Sequence, residues 1–133
     1  MRVLIIEDAD ERIKWFRETY VNHVLDVTKD VIQAIAWLQQ YAYEYIFLDH
    51  DLSDQHYTIL ATGINGYDNK TGYEVACYIA SQYNTFRNIP IIIHSLNPYG
   101  IGRMESVLKQ AGLVTYVIPF TILQQGVVRL EGD

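Results

Sequence analysis

Three short stretches of the chain gather the side chains able to do acid–base or metal chemistry. Glu7-Asp8 follows Arg2-Val3-Leu4-Ile5-Ile6, Asp49-His50-Asp51 follows Ile46-Phe47-Leu48, and His94-Ser95 follows Ile91-Ile92-Ile93. Carboxylate oxygens suit magnesium or manganese, and an added imidazole shifts the choice toward manganese or a softer metal. Imidazole titrates near neutral pH, so His50 and His94 could act as general base and acid. Two converging carboxylates repel unless a cation or a shared proton lies between them. Each residue also has a plainer use. Asp8 could cap a helix, Asp49 and Asp51 could be solvated loop carboxylates, and His50 could point away from its neighbours. His94 could be a satisfied histidine at a strand end, Asn97 a helix cap, and Arg12 a solvated helix residue.

A charge is costly to bury alone, so each polar cluster should begin where an apolar run leaves the core. Short, wholly apolar runs read as strands buried on both faces, as in a parallel sheet. Five largely apolar runs occur, at Arg2 to Ile6, Val24 to Val27, Tyr45 to Leu48, Ile91 to Ile93 and Tyr116 to Ile118. Helical patterns separate them. The first places Ile13, Phe16 and Tyr20 on one face, with Asp8 and Glu11 at capping-box spacing. The second has Thr28 as a candidate N-cap and an apolar stripe of Val31, Ala34, Ile35 and Leu38. Thr71-Gly-Tyr-Glu74 opens a third, with Val75, Ala76, Ile79 and Ala80 inward. Asn97-Pro98 opens a fourth, which buries Met104, Val107, Leu108 and Ala111 and stops at Gly112. The segment from Phe120 to Asp133 reads either as a short last helix or as a strand-like tail at Val127 to Leu130. Ser53 to Lys70 has no pattern and is longer than most connections, which marks it as a functional or mobile loop.

Alternating strands and helices predict an α/β fold, a parallel sheet covered on both faces. Right-handed crossovers then bring the ends of strands one, three and four to one edge, where open α/β sheets bind ligands. Glu7, Asp8, Asp49, His50, Asp51, His94 and Ser95 are expected around that crevice. His23, which begins a strand, belongs at the opposite end, and His56 falls in the long loop.

A chain of 133 residues is expected to form one domain over 1–133. Half of it is hydrophobic and a fifth charged, which is ordinary for a globular protein. No apolar run approaches membrane-spanning length, and the start of the chain lacks a secretory pattern. The single cysteine, Cys77, sits in an apolar helical pattern and is expected to be a small core residue. A cytoplasmic protein fits these features. The formal net charge of −6 argues against binding a long nucleic acid through its phosphates.

The arrangement resembles a receiver domain, the response-regulator fold with sheet order 2-1-3-4-5. Glu7-Asp8 matches the acidic pair after strand one, and Asp49 stands where receivers carry the phosphoacceptor. Gly72-Tyr73-Glu74 resembles the glycine-led third helix, and Ser95 stands where receivers keep Ser or Thr. The lysine that receivers place before a proline after strand five is absent, the pair here being Ile118-Pro119. The combined pattern is Ile6-Glu7-Asp8 with Arg12, Leu48-Asp49-His50-Asp51-Leu52, and His94-Ser95-Leu96-Asn97 with Gly100 and Met104. It is similar to the cyclic-phosphate processing receiver domains, a divergent family inferred to act on cyclic phosphates.

The resemblance implies a metal-dependent hydrolase of a cyclic phosphodiester, with a small cyclic phosphate or nucleotide as partner. Glu7, Asp8, Asp49 and Asp51 would hold magnesium or manganese. His50, His94 and Asp49 would do the chemistry, and Arg12, Ser95 and Asn97 would hold the phosphate. The loop from Ser53 to Lys70 would close over the ligand. Two rivals remain open at this level. One is a signalling receiver phosphorylated at Asp49. The other is a non-catalytic module that binds a cyclic nucleotide or docks a partner.

Overall fold

The computed structural model describes residues 1–52 and 71–131. The expectations placed on residues 53–70, the position of His56 and loop closure, lie outside the described residues. In chain order the elements are β1 (Arg2–Ile6), α1 (Asp10–Thr19), β2 (Val24–Thr28), α2 (Val31–Gln40) and β3 (Tyr45–Leu48). After residue 70 come α3 (Gly72–Ser81), a short α4 (Tyr83–Phe86), β4 (Ile91–Ile93), α5 (Pro98–Gln110), β5 (Thr115–Val117) and α6 (Phe120–Leu123). All five strands pair in parallel in the order β2-β1-β3-β4-β5. This is the expected flavodoxin-like receiver fold.

Side chains alternate across a strand, so each strand feeds two cores. Leu4, Ile6, Ile46, Leu48, Ile91 and Ile93 pack with Val31, Ala34 and Leu38 of α2, Val75, Ala76 and Ile79 of α3, and Met104 and Leu108 of α5. On the other face, Val3, Ile5, Phe47 and Ile92 pack with Phe16 and Tyr20, and with Phe120, Leu123 and Leu130 near the C-terminus. The buried stripes of the four long helices therefore fall where the apolar spacing put them. The C-terminal segment resolves as a short helix, not a strand, and Tyr20 anchors its continuation by donating to the Val128 carbonyl at 3.0 Å. Cys77, expected in the core, is instead a free thiol of intermediate exposure.

Two cap assignments need correction. The N-cap of α1 is Ala9, without a side-chain bond, so the Asp8–Glu11 box does not form. Glu7 turns back instead, and its Oε2 accepts from the Asp8 and Ala9 amides at 3.0 Å each. The N-cap of α2 is Asp30, whose side chain accepts from the Ile32 amide, not Thr28. Thr28 ends β2 and bonds Gln33 and the Asp30 amide. The Thr71 and Asn97 caps form as expected, with Pro98 at the first turn of α5. Gly112 adopts φ 78° just past α5, a left-handed conformation that glycine reaches without steric cost. No helix among the described residues is long and apolar enough to cross a membrane.

Candidate active site

The sheet register decides which side chains meet. Ile6 pairs with Leu48, and Leu48 with Ile93, so the next residues, Glu7, Asp49 and His94, leave the sheet side by side. They continue the alternation of Val3 and Ile5, of Phe47, and of Ile92, and so fall on the α1 side. The ring of His94 meets Phe16 of α1 edge to face, with centroids 5.3 Å apart. The residue after Asp49 has the opposite parity and falls on the α5 side, where the His50 ring lies against Gly100. One triplet is thus split between two neighbouring centres by the pleat.

The first centre is a buried cluster. Glu7, Asp49 and His94 each offer one ligand atom, and these atoms lie within 4.8 Å of one another. His94 is wholly buried, and its Nε2 lies 3.0 Å from Glu7 Oε1. Arg12 of α1 reaches in from one side, with Nη1 at 3.5 Å from Glu7 Oε1 and 3.9 Å from Asp49 Oδ2. Asp49 accepts the His50 amide at 2.8 Å. Burial works to raise the Glu7 pKa, but the His94 hydrogen bond and charge, the Ala9 amide and Arg12 outweigh it and bring it to about 2. Asp49 goes the other way, to about 8. Burial is the main cause and the Glu7 charge the next, against opposing contributions from Arg12, the His50 amide and Ser95. Near neutrality the pair therefore carries one negative charge and one held proton.

The second centre is a hydrogen-bonded triad at the start of α5. Asp51 Oδ1 lies 2.8 Å from His50 Nδ1 and accepts from Asn97 Nδ2 at 3.1 Å. Asn97 Oδ1 accepts the Gly100 amide at 3.1 Å, so one residue both caps α5 and ties the helix to Asp51. In a neutral imidazole, the Asp51 carboxylate beside Nδ1 favours the tautomer with the proton there and Nε2 bare. That atom is buried and without a hydrogen-bond partner among the described residues, as is His94 Nδ1. Gly100 and Gly72 are required here by space. A Cβ at Gly100 would stand 2.3 Å from His50 Cγ, and one at Gly72 would stand 1.8 Å from the Asp49 carbonyl oxygen.

Among the residues singled out in the sequence, Glu7, Asp49 and His94 converge, with Arg12 beside them. His50, Asp51 and Asn97 form the neighbouring triad. Ser95 is buried between the two, interacting with Asp49 and accepting the Asn97 amide at 3.1 Å. Asp8 and Asp51 do not join the three-residue cluster. His23 lies at the opposite end of the sheet, 3.3 Å from the N-terminal amine. The sequence reading did not assign His94 to the ligand set or make Gly100 a partner of His50. Strand parity carries the first of these signals.

The cluster offers two carboxylates and one imidazole, with one carboxyl driven to hold a proton by burial and by its charged neighbour. That donor set could hold a divalent cation, and its nitrogen suits manganese better than magnesium.

Residues 2–110 match the Cyclic-phosphate processing Receiver domain. Among curated proteins, none matches the chain in sequence. Solved structures share the fold. The receiver domain of a sensor histidine kinase from Pseudomonas aeruginosa PAO1, with a magnesium ion coordinated in its active site cleft, is 22% identical at TM-score 0.60, over 93% of this chain and 91% of that one. A signal receiver domain of an HD domain-containing protein from Pseudomonas fluorescens Pf-5 reaches TM-score 0.65 at 12% identity, over 95% and 86% of the two chains. A response regulator from Thermotoga maritima in complex with Mg(2+)-BeF gives TM-score 0.60 at 19% identity, over 95% of each. With the family match covering most of its length, the chain belongs to the cyclic-phosphate processing receiver domain family.

Proposed function

We propose that this domain hydrolyses a cyclic phosphodiester with the help of a divalent cation held by Glu7, Asp49 and His94. The observation that carries the reading is the convergence of these three buried ligand groups at the C-terminal edge of the sheet. A bound cation would polarise a phosphoryl oxygen and lower the pKa of water. Asp49 would give up its held proton on loading. Arg12, with about a quarter of its side chain exposed, would bind a phosphoryl oxygen through guanidinium donors not committed to short bonds with the carboxylates. Asp51 and Asn97 would hold His50 in the tautomer whose Nε2 takes or returns a proton. Ile118, standing where signalling receivers keep lysine, offers no charge to an aspartyl phosphate, which weighs against phosphorylation of Asp49 as the working event.

A second reading is favoured by one observation. His50 and His94 are only 1% and 0% exposed, which suits a site that binds a cyclic phosphate without proton transfer. The experiment is a turnover screen of cyclic mononucleotides, cyclic dinucleotides and 2′,3′-cyclic phosphates with magnesium or manganese, alongside acetyl phosphate. Hydrolysis that falls by about 10²-fold or more in His50→Ala supports the enzyme. Tight binding without product, equal in wild type and His50→Ala, supports the binding module. A stable phosphoryl group on Asp49 from acetyl phosphate would return the domain to signalling.

A further inference from the structure

We propose that the groove between the first turn of α3 and the length of α5 holds the aromatic base of the ligand, so that the substrate is a nucleotide and not a base-free cyclic phosphate. The inference rests on the hydrolase reading above and deepens it. The groove has a volume of about 570 Å³ and begins at Pro98 and Tyr99, directly after Asn97 of the triad. Positions 99, 102, 103 and 106 recur at helical spacing and form a stripe beside the buried one of Gly100, Met104 and Leu108. From Asn97, which bonds Asp51 of the triad, to Arg103 the helix rises about 9 Å.

The chemistry of the lining is that of a stacking site. The Arg103 guanidinium lies over the Tyr73 ring at 3.9 Å and 5.4 Å from the Tyr99 ring centroid. Planar guanidinium and phenol faces are surfaces on which bases stack. Tyr99, which lines the groove beside Pro98, is 69% exposed. A phosphate alone has no use for an apolar rim. Gly102 leaves the floor of the stripe open, because a Cβ there would meet nothing within 4 Å.

The test compares 2′,3′-cyclic AMP with glycerol 1,2-cyclic phosphate in steady-state kinetics. Saturation-transfer NMR of 2′,3′-cyclic AMP on the wild type is run alongside, so that absence of turnover still leaves a measurement of the groove. Tyr99→Ala should raise KM for the nucleotide by about tenfold or more and erase its preference over the base-free ester, while Tyr99→Phe should restore both. Gly102→Leu should have the same effect by filling the floor, without lowering Tm. NMR should show the adenine protons closest to the protein. Wild-type KM in Tyr99→Ala and Gly102→Leu, with turnover abolished in Asp49→Ala, would overturn the base site and leave the hydrolase reading intact. Strong adenine contacts without turnover of either ester would overturn the hydrolase and keep the base site. No nucleotide contact by NMR would overturn the proposal.

Discussion

Replacing Asp49 with asparagine should stabilise the cation-free domain at neutral pH and change little in mild acid. Asp49 holds its proton up to about 8, against an ordinary 3.8, because it is buried beside ionised Glu7. Between those values the folded state binds more protons than the unfolded one, so stability falls as pH rises, fully present below about 4 and lost through 8. At about 1.4 kcal/mol for each tenfold change in proton affinity, the ceiling is about 6 kcal/mol. The effective dielectric of a real interior brings the expectation down to about 2–3 kcal/mol. Asparagine fits the site, since it has the shape of the protonated carboxyl and its oxygen can keep the His50 amide. The assay is thermal unfolding of both proteins in chelator from pH 4 to 8.5. At pH 8 the variant should melt roughly 6–12 °C higher, and at pH 4 the gap should shrink to a degree or two. A gap that is constant with pH, or a variant less stable at pH 8, would refute the account of this pair. Glu7 has the opposite sign. Held at about 2, it contributes stability above its ordinary 4.5 that is lost as pH falls toward 2, a window that meets the measured range only at its acid end.

Other perturbations read other parts of the site. Gly100→Ala should destabilise by about 1–3 kcal/mol in chemical denaturation, through the clash with the His50 ring. Gly102→Ala, two residues on and in open space, should stabilise by about 0.5–1 kcal/mol. Asn97→Ala removes both the α5 cap and the bond to Asp51 and should cost about 1–2 kcal/mol by the same measurement. Calorimetric titration with manganese should show a site that Glu7→Gln weakens by about tenfold or more and His23→Ala leaves alone.

The sheet and the helical stripes were legible because burial on two faces writes itself as apolar runs, and burial on one as a spacing of three and four. Ile91-Ile92-Ile93 needs no partner to be recognised as a strand. Direction was harder to read. Asp49, His50 and Asp51 look equivalent in a line of text, and only strand parity sends Asp49 toward α1 and His50 toward α5. The same parity moves His94 beside Glu7 and leaves Asp8 out of the cluster. The Asp8–Glu11 spacing invited a capping box, but Glu7 took the free amides of the turn because its side chain folds back at the strand end. Thr28 lost its cap because β2 runs one residue further than its apolar run. The last segment stayed ambiguous because its apolar residues satisfy either period, and contact with Tyr20 decided it.

The three ligand groups come from the three central strands, from segments far apart in the chain, and no local opening of one helix parts them. A ligand that binds only the folded protein protects only against those fluctuations that break its site. Amide hydrogen exchange in β1, β3 and β4 should therefore slow in proportion to cation concentration, while exchange in α6 should not. The cation would then act on the molecule as a fastener of its least mobile layer, and resistance to proteolysis would rise and fall with cation supply.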